Sequence, residues 1–153
     1  MTESRGTSGP DGAVLHGAYE ISADPGRIDP ALVHHWLSTD AYWALGRPRQ
    51  TQDRAIAGSL NFGAYHRESG TMAGYARVVT DYATFGWLCD VYVAPDARGT
   101  GLGTALAAAV RDHLAPYGLR RFMLATDDAH GVYEKVGFTP VRNPDKLMAL
   151  GQE

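Results

Sequence analysis

The chain has 153 residues, of which 44% are hydrophobic and 20% charged, and its formal net charge is -3. This length suits one domain with one sizeable core, and the charge balance gives no indication of a nucleic-acid partner, which would favour a basic face. The single cysteine, Cys89, excludes an intramolecular disulfide, no metal site is expected, and no apolar run is long enough to predict a membrane-spanning helix.

The N-terminal segment differs in composition from the rest of the chain. Residues 1–15 hold few apolar side chains, so they are expected to form a flexible tail. The same segment lacks the apolar centre of a secretory signal, and we therefore expect a cytoplasmic protein. Residues 16–153 are predicted to form a single domain.

Hydrophobic periodicity and turn residues divide that domain into ten predicted elements. Asp29 followed by Pro30 is typical of a helix start, and Gly137 is typical of a helix end. The predicted order is a strand at 19–22, helices at 30–38 and 49–59, strands at 60–66, 72–80 and 85–93, a helix at 101–115, a strand at 119–125, a helix at 128–136 and a last strand at 146–150. This order indicates an α+β fold of the three-layer α/β type, in which helices cover a sheet of mixed direction.

The most informative segment is the glycine-rich loop Arg98-Gly99-Thr100-Gly101-Leu102-Gly103, which connects an apolar strand to a helix. The first turn of a helix has unpaired N–H groups and partial positive charge, and glycines let a ligand approach the backbone closely. The loop therefore suits a diphosphate, to which Arg98 would add positive charge. No Gly-Lys-Ser or Gly-Lys-Thr occurs, so a P-loop is excluded, and a dinucleotide-binding fingerprint fits the glycine spacing poorly.

Two blocks of sequence resemble one family. Arg98-x-x-Gly101-x-Gly103 looks like the (Arg/Gln)-x-x-Gly-x-(Gly/Ala) signature of the GNAT acetyltransferases. The later block Ala129-x-x-x-Tyr133-x-x-x-Gly137-Phe138 is similar to the helix that ends in a Gly-Phe pair in that family. The resemblance covers roughly residues 17–150.

This resemblance implies a mostly antiparallel central sheet of six to seven strands, splayed at the cofactor site and flanked by about four helices. It also implies acetyl-CoA as acyl donor. The pantetheine arm would pair with the backbone of Val91, Tyr92 and Val93. The diphosphate would bind the loop amides, and the residues expected there are Arg98, Gly99, Thr100, Gly101, Leu102, Gly103 and Thr104. Thr126 stands where many members have Asn, and its hydroxyl offers fewer contacts to the cofactor than an amide would.

Two residues are candidates for proton transfer. By resemblance, Tyr133 would act as the acid that protonates the CoA sulfur, although its spacing also fits a packed core aromatic. Asp90 interrupts an apolar run, where a carboxylate is costly without a partner. It is the candidate base, directly or through water, and the alternative is a salt bridge with a residue such as Arg77.

The acceptor site is less well defined by the sequence. Its candidate residues are Tyr42, Trp43, Asp81, Tyr82 and His130. The aromatic residues would line an amine site or cover the core edge, Asp81 would bind an amine or cap a turn, and His130 would transfer protons or lie on the helix surface. The predicted function is acetyl transfer to a primary amine, chiefly of a small molecule. A protein or peptide acceptor, a non-catalytic acyl-CoA-binding module and a homodimer remain open at this point.

Overall fold

The computed structural model describes residues 12–151, and six strands there form one sheet in sequence order. The first five strands are paired antiparallel, and the last two are parallel to each other. The strands are β1 (Val14–His16), β2 (Tyr19–Ser22), β3 (Leu60–His66), β4 (Met72–Thr80), β5 (Phe85–Val93) and β6 (Arg121–Leu124). The predicted mixed, mostly antiparallel sheet is confirmed.

Four α-helices flank this sheet in the described part of the chain. They are α1 (Pro30–Asp40), α2 (Arg49–Ala57), α3 (Leu102–Leu114) and α4 (His130–Glu134). The predicted start of α1 is confirmed, because the Asp29 carboxylate accepts a hydrogen bond of 3.2 Å from the Leu32 N–H. None of the described helices is both long and apolar enough to cross a membrane.

The core consists of two apolar clusters that lie on opposite faces of the sheet. Neighbouring residues of β4 belong to different clusters, because side chains alternate between the faces along a strand. Ala76 packs with Leu106 and Val110 of α3, whereas Tyr75 packs with Leu37 of α1. The central strands are thus held between α3 on one side and α1 on the other.

Strands β5 and β6 separate from each other halfway along β5. Their parallel pairing runs from Phe85 opposite Arg121 to Leu88 opposite Leu124, where β6 ends. The remainder of β5, residues 89–93, stays paired with β4 and has no strand on its other edge within residues 12–151. This open edge is the predicted splay.

A β-bulge lies in the same part of β5. Tyr75 of β4 is opposite Tyr92, but Arg77 is opposite Cys89, so β5 carries one extra residue between these pairs. Asp90 lies in the bulge with a φ of 53°, in the left-handed region that Asp adopts more readily than most residues. The bulge bends the strand where it leaves β6.

The structure corrects the predictions at both ends of the domain. Strand β1 begins at Val14, inside the range predicted as a tail, and Ala13 is buried; residues 1–11 of that range lie outside the described residues. Three residues are too few for a periodic pattern, and β1 forms only by pairing with β2. The strand predicted at 146–150 is wrong, since Pro144–Lys146 is a 3₁₀ turn and Leu147, Met148 and Leu150 are exposed, with no strand beside them among residues 12–151.

Candidate active site

The glycine-rich loop leads from β5 to α3 through two residues in the left-handed region. Gly99 has a φ of 78° and Gly101 a φ of 80°, conformations that are costly for residues with a Cβ. Leu102 is buried at the start of α3 and anchors the helix, while residues 98–101 are exposed. No side chain of the described residues caps the first turn of α3, so its N–H groups remain available to an anion.

The guanidinium of Arg98, which was predicted to add positive charge at the diphosphate, makes two contacts within the chain. Its Nε donates to the Val93 carbonyl at 2.9 Å, and its Nη2 lies 3.0 Å from the Asp40 carboxylate. The same carboxylate oxygen accepts a 2.6 Å hydrogen bond from the Tyr92 hydroxyl. Arg98 therefore connects the loop to the end of α1.

His16 is a loop contact that sequence reasoning missed. Its Nε2 lies 3.0 Å from the Thr100 carbonyl, which can only accept, so Nε2 carries the proton in this contact. Thr100 also donates its hydroxyl to the Ala97 carbonyl at 2.6 Å. No sequence signal identified His16, because it reaches the loop only through the pairing of β1 with β2.

A cavity of about 360 Å³ lies beside the splayed part of β5. This volume is near the lower end of the range for small-molecule sites. The lining residues come from the α1–α2 loop, β5, the loop after β6 and α4: Tyr42, Trp43, Trp87, Leu88, Cys89, Asp90, Val91, Ala125, Thr126, Asp128, Ala129 and Tyr133. The structure thus brings together six of the residues predicted from sequence, namely Tyr42, Trp43, Asp90, Val91, Thr126 and Tyr133.

Tyr133 lies on α4 and faces this cavity. Burial, together with the neighbouring Tyr42 and Asp128, raises the pKa of its phenol to about 12. Its ring packs edge-on against Phe138, with centroids 6.1 Å apart. The phenol is therefore protonated at neutral pH and has a proton to donate.

Asp90 is 3% exposed and bonded on both oxygens. Oδ1 accepts from the Trp43 indole N–H at 2.9 Å, and Oδ2 accepts from Arg47 at 2.9 Å and from Arg77 at 2.8 Å. Burial raises the pKa of Asp90, but the hydrogen bonds and charges of the two arginines outweigh it and keep the pKa below its ordinary value. The salt bridge considered for Asp90 is thus present, with a second arginine added.

Two further cavity residues have specific local roles. The Thr126 hydroxyl accepts a 3.0 Å hydrogen bond from the Ala129 N–H and so supports the turn before α4. Cys89 is half-buried, and burial raises the pKa of its thiol to about 11. At neutral pH the Cys89 thiol is protonated and a poor nucleophile.

Asp81, Tyr82 and His130 do not line this cavity. The Asp81 carboxylate accepts three backbone N–H bonds and the Thr84 hydroxyl, which hold its pKa well below the usual range and favour the turn-cap interpretation. Tyr82 packs against Tyr117, with ring centroids 5.2 Å apart. His130 is exposed and lines a neighbouring cavity of about 370 Å³ between β6 and residues 138–141, which shares Ala125, Thr126 and Tyr133 with the first.

Sequence reasoning also missed three residues around the cavity. Arg47 donates both to Asp90 and to Gln52, which is fully buried on α2. Asp128 lines the cavity, is exposed, and forms no salt bridge within residues 12–151. The burial of the polar Gln52 on α2 depends on tertiary contacts, so no sequence pattern predicts it.

The candidate site therefore combines a splayed parallel strand pair, a cavity beside the splay, and a glycine-rich start of α3. The family model for the acetyltransferase (GNAT) family matches residues 31–138. The chain belongs to the GNAT acetyltransferase family, whose members take the acetyl group from acetyl-CoA.

Individual relatives agree with this assignment. A solved GNAT-family protein of Xanthomonas campestris pv. campestris is 44% identical and has a TM-score of 0.82. The match covers 89% of this chain and 94% of that protein. A Gibberella zeae protein assigned as an acetyltransferase is 31% identical, with 88% of this chain and 86% of that protein covered. A mycothiol acetyltransferase of Thermobispora bispora is also 31% identical; 76% of this chain matches 44% of that protein.

Proposed function

We propose that this protein is an N-acetyltransferase that moves the acetyl group of acetyl-CoA to the primary amine of a small molecule by direct attack on the thioester. The observation that carries the proposal is the cavity between the open edge of β5 and Tyr133. The same strand continues into the loop that ends at the uncapped start of α3. A thioester held along that edge would have a proton donor on one side and space for an amine on the other.

The donor site is proposed to follow the path from the glycine-rich loop to the cavity. The first amides of α3 would hold the diphosphate, with Gly99 and Gly101 allowing its close approach. The backbone of residues 91–93 lacks a strand partner on the β6 side within the described chain, and it would pair with the pantetheine amides as it would with an added strand. The acetyl group would then lie beside Val91.

The proposed reaction has two steps. The neutral amine attacks the thioester carbonyl carbon, forming a C–N bond and an oxyanion that a backbone N–H near Val91 or Val93 stabilises. The C–S bond then breaks, and its electron pair stays on sulfur, which takes a proton from the Tyr133 phenol. The proton that the amine loses passes through water and restores Tyr133, so the products are the N-acetylated amine and CoA thiol.

Cys89 supports direct attack over an acyl-enzyme route. It lies in the cavity, but a thiol with a pKa of about 11 carries little thiolate at neutral pH. The amine is therefore the proposed nucleophile.

The cavity lining supports a small, cationic acceptor with an apolar body. Tyr42, Trp43 and Trp87 form an aromatic wall, and Asp128 is a carboxylate without an ion-pair partner in the described chain. The Tyr42 hydroxyl accepts a 3.1 Å hydrogen bond from the Asp127 N–H, which joins the α1–α2 loop to the loop before α4. A cavity of about 360 Å³ favours a small amine over a protein segment.

Turnover with a panel of acceptors tests this proposal. The protein is incubated with acetyl-CoA and either small aromatic or aliphatic amines or a peptide with a free α-amine and a lysine, and thiol release and product mass are followed. We expect acetylated small amines and little acetylated peptide. Acetylation of the peptide alone would indicate a protein acetyltransferase, and acetyl-CoA binding without any turnover would indicate a binding module.

A further inference from the structure

The side chain of Asp90 is 1% exposed, and both of its carboxylate oxygens accept hydrogen bonds from other side chains. Its three donors come from two separate parts of the fold. Trp43 and Arg47 belong to the loop between α1 and α2, and Arg77 belongs to β4. One buried carboxylate thus links the acceptor side of the cavity to the sheet.

Each of the two arginines also donates a hydrogen bond to a further side chain. Arg47 Nη1 also donates to the Gln52 side-chain oxygen at 2.9 Å, and Gln52 is fully buried on α2. Arg77 Nη1 donates to the Ser59 hydroxyl at 3.1 Å, just before β3. The network of Asp90, Arg47 and Arg77 therefore fixes the position of α2 and of the preceding loop relative to β5.

Trp43 depends on this network for its position at the cavity. Its side chain is 40% exposed, and its indole N–H donates to Asp90. Its ring also meets Tyr42 edge-on at 4.9 Å. Without the bond to Asp90, a half-exposed tryptophan on a loop has several rotamers available to it.

We propose that Asp90 is a positioning residue for the acceptor site: it holds Trp43 and Arg47 so that the α1–α2 loop forms the cavity wall, and it does not take the proton of the amine. This inference rests on the proposed function. It concerns a residue that the sequence suggested as the base.

The surroundings of Asp90 oppose a role as base. Protonation would remove its charge from between two arginines and displace one of three donors. The charged or titratable groups that face it are Arg47 from the loop, Arg77 and Tyr75 from β4, and Cys89 on its own strand. The arginines keep its pKa below the ordinary value, so it is fully ionised and paired wherever an amine is partly neutral.

Kinetics of three variants test the proposal. Asp90→Asn removes the charge that both ion pairs share, Arg47→Gln removes one of the two pairs, and Trp43→Phe keeps a ring but loses the N–H donor. Each should raise the KM for the amine about tenfold, with KM for acetyl-CoA changed less than about twofold and the acidic limb of the pH profile unchanged. Arg49→Gln is the matched control, because it breaks the exposed Arg49–Asp53 pair two residues away and should leave both constants unchanged.

The opposite pattern would overturn the proposal. A base role predicts a loss of at least about 100-fold in kcat for Asp90→Asn together with loss of the acidic limb, while Arg47→Gln and Trp43→Phe stay near wild type. If Asp90→Asn does not fold, Arg47→Gln still decides, since Arg47 does not line the cavity and only a positioning network makes its variant defective.

Amide hydrogen exchange gives a readout that does not require turnover. The network predicts faster exchange at residues 41–48 in Asp90→Asn and Arg47→Gln than in wild type, with no change in Arg49→Gln. Absence of amine turnover by the wild-type protein would refute the proposed function alone. Unchanged exchange at residues 41–48 in both Asp90→Asn and Arg47→Gln would refute the positioning role of Asp90.

Discussion

Tyr133 has the environment expected of a proton donor whose charge state is fixed at neutral pH. Burial raises its pKa to about 12, so the phenol is protonated over the neutral range and would lose its proton only as the pH rises toward that value. Tyr133→Phe should lower kcat by at least about 100-fold and leave acetyl-CoA affinity within about twofold. Steady-state kinetics with calorimetric binding checks this, with Tyr117→Phe, an exposed tyrosine outside the cavity, as control. An unchanged kcat in Tyr133→Phe would show that Tyr133 packs in the core and does not donate a proton.

Gly101 is the residue on which the donor loop depends most. Its φ of 80° is strained for any residue with a Cβ and most for a β-branched one, and an added Cβ would also meet the His16 ring at 3.5 Å. Gly101→Val should therefore abolish detectable acetyl-CoA binding while the fold persists. Gly118→Val carries comparable strain, with a φ of 61° and open space around it, at the other end of α3, and should keep binding. Equal affinities in the two variants, measured by calorimetry, would place the diphosphate elsewhere.

Residues near the cavity differ in how far sequence could identify them. The glycine loop lies in one contiguous motif between a strand and a helix, and Tyr133 was proposed because its block resembles a family motif. Arg47 and His16 reach the site from distant segments, and only the folded sheet brings them there. The pairing of Arg98 with Asp40 likewise spans 58 residues, and no local pattern indicates that its charge is already paired.

Hydrophobic pattern was sufficient to predict those strands whose two faces are both covered. The bounds predicted for β3, β4 and β5 agree with the structure, because long runs of apolar and aromatic residues end there at turn residues. Strand β1 was missed, and a strand at 146–150 was predicted wrongly. In both places the outcome depends on whether a neighbouring strand is available, which local sequence does not encode.

Strand β3 contains a glycine that only tertiary packing explains. The buried Tyr65 ring lies over Gly63, and a Cβ added at Gly63 would come within 2.2 Å of the Tyr65 hydroxyl oxygen. Gly63→Ala should therefore lower the free energy of unfolding by about 1–3 kcal/mol. Urea denaturation measures this, and Gly58→Ala, at the end of α2 with ordinary contacts, should change it by less than about 0.5 kcal/mol. Equal stability of the two variants would mean that the Tyr65 ring moves freely.

The stability of the whole molecule should depend on the ionisation of Asp90. Because its folded pKa lies below the ordinary value of 3.8, its stabilising contribution is complete at neutral pH and is lost as the pH falls below about 4. Asp90→Asn should destabilise the protein at pH 7 by about 3 kcal/mol, since it leaves two arginines without their charge partner. The difference from wild type should shrink toward pH 3 in urea titrations. A difference that is independent of pH would show that the lost ion pairs are not its cause.

Binding of acetyl-CoA should stabilise the whole protein, and we propose that its diphosphate lies on the loop from Arg98 to Thr104. The most direct measurement is thermal unfolding of wild type and Gly101→Val with saturating acetyl-CoA, with ATP and NAD as controls. Ligand at 100 times its dissociation constant adds about 2.7 kcal/mol, which is a rise in Tm of about 5–10 °C for a domain of this size. We expect this rise in Tm for the wild-type protein with acetyl-CoA and not with ATP or NAD. No rise, an equal rise with ATP or NAD, or an equal rise in Gly101→Val would contradict it.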